Sequence, residues 1–259
     1  MSNDSSANSE KRLGAVLHAG DYVRSRQQPG LGDPHYLGLV DLLAVVRPFA
    51  TAVQGSLFDY GSGGAPYRSL FTGINEYIRA DITPGPNVDK LLPANGLTHE
   101  PDARYDAVLS TQVLEHVQDP AGYLLECFRI LKPGGQLLVT THGMFEEHGC
   151  PYDFHRWTAR GLELAVAAAG FQVEPGLKLT GGVRGLVQLQ HTLVGSLFAP
   201  EYPVWHRVLA VIRRLYGLVS VTPLNWLANR FPKHGVVPCD HWSQIYIGVA
   251  VRARKPLDR

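Results

Sequence analysis

Cysteine is scarce and scattered: Cys127, Cys150 and Cys239 are odd in number, far apart and form no C-x-x-C pair. Neither a disulfide framework nor a cysteine-based zinc cluster is indicated, and a reducing compartment, the cytoplasm, is the expected setting. No run of about 18 or more apolar residues occurs, which excludes an ordinary transmembrane helix. Charge of one sign is missing as well. Lys and Arg total 24 against 23 Asp and Glu, a formal net charge of +1 with no block of like charges, so a nucleic-acid backbone is not an expected partner. Residues 1–12 lack the apolar stretch of a secretory signal and read as a disordered tail rich in Ser, Asn and Asp.

What is present is a rhythm of strands and helices across a chain of 259 residues, a length suited to one α/β domain with additions. Apolar runs predict strands over 56–60, 77–81, 105–110, 135–141 and 171–175, and helices over 66–72, 120–131 and 158–169. Such alternation argues for a parallel sheet covered on both faces by crossover helices. The stretch 82–104, with Pro84, Pro86, Pro93 and Pro101, reads as a loop holding at most one weak strand near Val88 to Leu91. Residues 13–50 form an arm carrying Tyr22, Arg24 and Arg26, then a helix opened by Asp33 as cap and Pro34 at its first position. A core over 51–182 and 236–255 is interrupted by 183–235, where three helical pieces are expected. The clearest runs from Val204 to Val219, with Val208, Val211, Ile212 and Leu215 on one face and Arg207, Arg213 and Arg214 on the other. That stripe fits a core contact, a homodimer contact through 183–235 or a membrane-surface helix. The closing run Ile245 to Val251 suits a strand buried on both faces.

The rest of the chain is organised around residues 57–67, Leu-Phe-Asp-Tyr-Gly-Ser-Gly-Gly-Ala-Pro-Tyr. Gly61 and Gly63 let the backbone turn sharply and let a ligand approach without a Cβ in the way. Pro66 suits the first turn of a helix whose free amides would face that ligand. Asp81 closes the next strand, 20 positions past Gly61, where an acid can accept both hydroxyls of a ribose. A dinucleotide site would want a third glycine where this chain has Pro66, which disfavours a nicotinamide-dependent reductase.

Taken with Tyr105 to Ser110, Leu114-Glu115-His116-Val117 and Leu131-Lys132-Pro133-Gly134-Gly135, the stretch resembles the class I S-adenosylmethionine-dependent methyltransferases. The resemblance covers roughly residues 55–175 and departs from the family at Ala65, where a third glycine is common. It implies a Rossmann-like open sheet of about seven strands, mostly parallel, whose last strand enters antiparallel in a hairpin that the helical insertion interrupts. It further implies S-adenosylmethionine as cofactor. Asp59, Gly61, Ser62 and Gly63 would hold its methionine end, Asp81 its ribose, and Gln112 with Val113 the floor beneath the sulfonium. Asp89 is a candidate for the adenine amino group, or a loop acid without a role.

Methyl transfer from a sulfonium needs alignment and exclusion of water more than electrophilic help. A hydroxyl acceptor adds the need for a base. His142, at the carboxyl end of the strand over 135–141, is the first candidate; Asp153 and His155, in the loop that follows, are the others. His155, Arg156 and Trp157 equally suit a loop anchor before the helix that Thr158 caps. The loop also carries His148, Glu146 and Glu147, but its spacing matches no metal signature, so no metal is expected. The expected reaction is methylation of a small molecule or glycan at oxygen, a sugar hydroxyl before others. A lipid-like or secondary-metabolite acceptor, methylation at carbon or nitrogen, and a non-catalytic scaffold of the same fold remain alternatives.

Overall fold

The computed structural model describes residues 19–197 and 206–257. The expected tail 1–12, the start of the arm to residue 18, and residues 198–205 of the expected insertion lie outside the described residues. Helix α1 (Ala19–Gln27) and helix α2 (Tyr36–Ala52) precede the sheet. The described strands are β1 (Gly55–Tyr60), β2 (Ile74–Asp81), β3 (Lys90–Leu91), β4 (Tyr105–Thr111), β5 (Leu131–His142), β6 (Gln172–Val173), β7 (Leu177–Gly181), β8 (Val236–Pro238) and β9 (Tyr246–Arg254). They join in one sheet of order β3-β2-β1-β4-β5-β9-β7-β8, with β6 also on β9. The first five strands are parallel; β9 runs antiparallel to β5, β6 and β7.

Leu57 and Phe58, neighbours on β1, point to opposite faces and into different cores. On one face α2 lays Leu42, Leu43, Val46 and Phe49 against Leu57, Ala107, Leu109 and Leu138. On the other, α3 (Pro120–Ile130) and α4 (Ala159–Ala168) lay Leu124, Ile130, Leu162 and Val166 against Phe58, Val108, Leu137 and Val139. Double burial is why these strands read as continuous apolar runs. Helix ends follow local chemistry. Asp119 accepts from the Gly122 amide at 3.0 Å ahead of Pro120, and Thr158 accepts from the Gly161 amide at 3.0 Å. Gly170, at φ +101°, turns α4 into β6.

Three expectations are corrected. The helix expected over 66–72 is a single 3-10 turn, Arg68–Leu70, because Tyr67 and Phe71 are drawn into the core beneath it. Asp33 does not cap α2: its carboxylate accepts from the His35 amide at 2.7 Å, forming a turn before the helix, whose cap is His35. The strand expected over 171–175 shrinks to β6, and β7 and β8 add an antiparallel edge, making nine strands among the described residues where about seven were expected. The helical segment lies between β7 and β8. It comprises α5 (Gly182–Leu197), α6 (His206–Tyr216), a π-helical turn (Gly217–Val221) and α7 (Thr222–Ala228).

Arg184 of α5 ties this segment to the core. Its buried guanidinium reaches Asp41 of α2 at 2.6 Å and Asn229 at 2.8 Å, while Thr180 donates to the same carboxylate at 2.9 Å. The expected apolar face is bare on the described chain: Val208, Val211, Ile212, Leu215, Leu218 and Val219 are all exposed. Among the described residues no helix is long and apolar enough to cross a membrane.

Candidate active site

The parallel strands present their carboxyl ends at one rim, and the predicted cofactor residues gather there. After β1 the chain turns at Gly61 (φ +81°) and Gly63 (φ +50°). A Cβ on Gly61 would stand 2.5 Å from a methyl of Val113, whereas one on Gly63 meets nothing within 4 Å. Gly61 is thus required by close packing, and Gly63 leaves open space above the turn. The Gly61→Ala variant is expected to lose more than about 1–2 kcal/mol, the cost of a left-handed alanine before the clash is counted; a denaturant midpoint equal to that of the unmodified chain would refute this.

The turn is fastened to β2. Gly61 and Ser62 amides donate to the Ala80 carbonyl at 2.8 and 3.0 Å, and the Gly63 amide donates to Asp81 Oδ2 at 2.8 Å. Asp81 Oδ1 accepts from the Thr83 amide at 2.8 Å. Gln112, at φ +56°, donates from Nε2 to Thr140 Oγ1 at 3.3 Å, but its buried Oε1 has no protein partner. Ser62 Oγ is buried and unpartnered too. Asp89 is engaged by Arg79, whose amide and Nε donate to it at 2.9 and 2.8 Å and hold its carboxyl at about 2. Helix α1 of the arm reaches the turn. Tyr22 comes within 3.0 Å of where a Gly64 Cβ would stand, and Gln27 donates to the Pro66 carbonyl and to Ser69 Oγ.

Asp59 sits beneath this rim, buried, with Tyr77 Oη donating to it at 2.7 Å. Burial pushes its carboxyl up to about 7, against the hydrogen bond that lowers it. A proton held more tightly in the folded than in the unfolded chain adds stability below the ordinary carboxylate range, and that stability is lost as pH rises through about 7. The Asp59→Asn variant, which keeps an oxygen for Tyr77, is expected to lose less stability than the native chain between about pH 4 and about pH 7. Denaturant midpoints at the two pH values measure the difference, and identical losses would assign the titration elsewhere.

The acceptor side is built at the end of β5. The loop after His142 folds back onto the 3-10 turn Leu114–His116: the Phe154 and His155 amides donate to the Glu115 carbonyl at 2.8 and 3.2 Å, and the Trp157 amide donates to the His142 carbonyl at 2.9 Å. Arg156 staples it, donating to both Asp153 oxygens at 2.6 Å and to the Glu146 carbonyl at 2.6 Å. That ion pair holds the Asp153 carboxyl far below the usual carboxylate range. Asp153 also accepts from the His148 amide at 2.8 Å, so its oxygens are committed to loop structure.

Within the loop, His142 stacks on Phe145 with ring centres 4.2 Å apart and lies edge-on to His148 at 4.9 Å. Its Nε2 is 3.3 Å from Oε1 of Glu115, a carboxylate wholly removed from solvent. Thr141 donates to the other Glu115 oxygen at 2.8 Å. Burial drives the two groups toward neutrality, raising Glu115 and lowering His142 to about 3. His155 stays outside this cluster, beside Trp157 with ring centres 5.9 Å apart. Sequence reasoning placed His142 at the rim and read Glu115 only within the motif Leu114-Glu115-His116-Val117. Its meeting with His142 is a product of the fold.

The residues fit S-adenosylmethionine. Ser62 Oγ and Gln112 Oε1 lack protein partners, and the chain leaves space over Gly63. Asp81, though held by two amides, keeps lone pairs for ribose hydroxyls. Bound there, the cofactor supplies an activated methyl group on a positively charged sulfur.

A family model described as a methyltransferase domain matches residues 39–175, just over half of the chain. A probable S-adenosylmethionine-dependent methyltransferase of Mycolicibacterium smegmatis is 36% identical over 107 residues, 39% of this chain and 41% of that protein. The ubiquinone biosynthesis O-methyltransferase of Pseudomonas fluorescens is 40% identical over 58 residues, 22% of this chain and 25% of that enzyme. The chain thus spans about two fifths of the first relative and a quarter of the second. Among solved structures, the cyclase SpnF superposes with a TM-score of 0.53 at 20% identity, covering 86% of this chain and 83% of that one. Phosphoethanolamine N-methyltransferase 2 of Haemonchus contortus, solved with S-adenosylmethionine, superposes at 0.50 and 14% identity, covering 93% of this chain and 61% of that one. At such identities the two structures speak for the fold alone. By sequence and by fold, the chain belongs to the methyltransferase domain family, in its class I S-adenosylmethionine-dependent form.

Proposed function

We propose that the protein transfers a methyl group from S-adenosylmethionine to a hydroxyl of a small molecule or glycan. The observation that carries this reading is the junction of the glycine turn with Asp81, Gly63 amide to carboxylate at 2.8 Å, beside the unpartnered Ser62 hydroxyl. In this reading Asp81 grips the ribose, Gly61, Ser62 and Gly63 cradle the methionine end above Asp59, and Gln112 with Val113 forms the floor. The acceptor hydroxyl comes to the cluster of Glu115, His142 and His148, where it loses its proton. Phe145, stacked on His142, holds the imidazole in place and keeps water from it. Asp153 and His155 support the loop rather than the reaction. The name of the Pseudomonas relative, an O-methyltransferase, favours oxygen over nitrogen or carbon.

A second reading, a lipid-like acceptor, is favoured by the exposed apolar face of α6 and the π-helical turn, which is also the candidate homodimer contact. Calorimetry with S-adenosylhomocysteine tests the cofactor half: binding is expected, and none at near-millimolar ligand would leave a non-catalytic scaffold. Labelled methyl donor offered to a panel of sugars, phenols and lipid alcohols tests the acceptor half. Label confined to amines or carbon would overturn the oxygen assignment.

A further inference from the structure

We propose that Glu115, His142 and His148 form a binding site for one borderline divalent cation of the zinc or cobalt class. The inference rests on the reading that this cluster receives the acceptor hydroxyl, but the binding site can be measured without it. One donor atom from each of the three residues lies within 4.8 Å of the other two. The tightest pair, His142 Nε2 and Glu115 Oε1, is 3.3 Å apart, yet Oε1 makes no hydrogen bond to any protein group. Two donors each about 2.1 Å from a common ion at a tetrahedral angle stand about 3.4 Å apart, so this spacing is that of neighbouring ligands. His148 offers the third donor from a partly exposed loop.

The buried oxygen is the second and independent observation. Glu115 is wholly inaccessible to solvent, and Thr141 satisfies only one of its two oxygens. A buried carboxylate oxygen without a partner is costly, and the nearest ionisable groups that share its site are the imidazoles of His142 and His148. A cation completes the set: one carboxylate and two imidazoles are the donors that suit zinc and its neighbours, while magnesium and calcium prefer all-oxygen shells. Spacing along the chain hides the site, because Glu115 comes from the turn after β4, His142 from the end of β5 and His148 from the loop beyond. Three protein donors leave a fourth position open, the arrangement of catalytic rather than structural zinc.

That open position faces the work assigned to the cluster. A hydroxyl seated there becomes far more acidic beside the ion, and its proton leaves to solvent. The oxygen then uses its lone pair to form the new C–O bond while the methyl–sulfur bond breaks and its electron pair stays on sulfur. No oxidant or reductant is involved.

The test uses untagged full-length protein, stripped with a chelator and desalted, then titrated with Co²⁺ and separately with Zn²⁺. One Co²⁺ per chain with visible ligand-field bands is expected, and Zn²⁺ should displace it. His148→Ala, on the exposed loop, and Glu115→Gln should each weaken Co²⁺ binding by more than about tenfold, since even outer-shell partners of metal ligands are worth about 10–100-fold. No uptake by the native chain, or uptake that His148→Ala retains in full, overturns the site; should the Glu115 variant fold poorly, His148→Ala alone decides. S-adenosylhomocysteine calorimetry on the same samples separates the two readings. Nucleoside binding without cobalt sinks the cation site alone, and cobalt binding without the nucleoside sinks the methyltransferase reading alone.

Discussion

Asp81→Ala is expected to weaken binding of S-adenosylhomocysteine by at least an order of magnitude. Each hydrogen bond from a ribose hydroxyl to a carboxylate is worth about 1.5–3 kcal/mol, and about 1.4 kcal/mol is a factor of ten. The structure adds a second route to the loss. Asp81 Oδ2 is the acceptor for the Gly63 amide, so removing it frees the glycine turn as well as the sugar. Asp81→Asn separates the two routes, since an amide oxygen can still hold Gly63 while the charge on the ribose contact is gone. An intermediate affinity for Asn and a larger loss for Ala are expected in calorimetry. Unchanged affinity in both would move the ribose contact elsewhere and take the cofactor assignment with it. Asp89→Ala serves as the comparison, because Arg79 already engages that carboxylate and little change is expected.

Asp81 was legible before folding because the features that place it are local: an apolar strand, a turn that only glycine tolerates, and an acid at the end of the next strand. The caps Thr158 and Gly170 and the doubly buried runs of β1 and β4 were legible for the same reason. What escaped depends on contacts between distant segments. Residues 177–181 become a strand because β9, some seventy positions later, offers an unpaired edge; Leu177 pairs with Ala250 and Gly181 with Tyr246. Nothing in Leu-Lys-Leu-Thr-Gly announces that partner. Residues 66–72 carry the signal of a helix start in Pro66, yet burial of Tyr67 and Phe71 outweighs it. Asp33 shows the opposite limit, a good capping residue used two positions early by the His35 amide.

The candidate site divides along the same line. Its cofactor half is a run of neighbours and could be read directly. Its acceptor half is an encounter of Glu115, His142 and His148 across two strand ends, and Asp153, which sequence offered as a catalytic acid, is spent on Arg156 three residues away. An ion pair at that spacing is visible in sequence only once the loop is known to be bent there.

His142→Ala is expected to lower turnover by about 10²–10⁴, the usual worth of a group that handles the proton in the transition state. Affinity for S-adenosylhomocysteine should stay unchanged, because His142 lies at the end of β5 and the proposed cofactor contacts are Asp59 to Gly63, Asp81, Gln112 and Val113. A fall in kcat without a rise in KM is the sign of an interaction made in the transition state alone. Glu115→Gln should slow the reaction as well, since it replaces the carboxyl oxygen 3.3 Å from the imidazole while an amide oxygen can still accept from Thr141. If the two side chains act as one unit, whether on a proton or around an ion, the double variant should be no slower than the slower single one, as groups that work together are strongly non-additive. Losses that multiply would mean that Glu115 and His142 act separately, and native turnover in His142→Ala would remove the imidazole from the reaction.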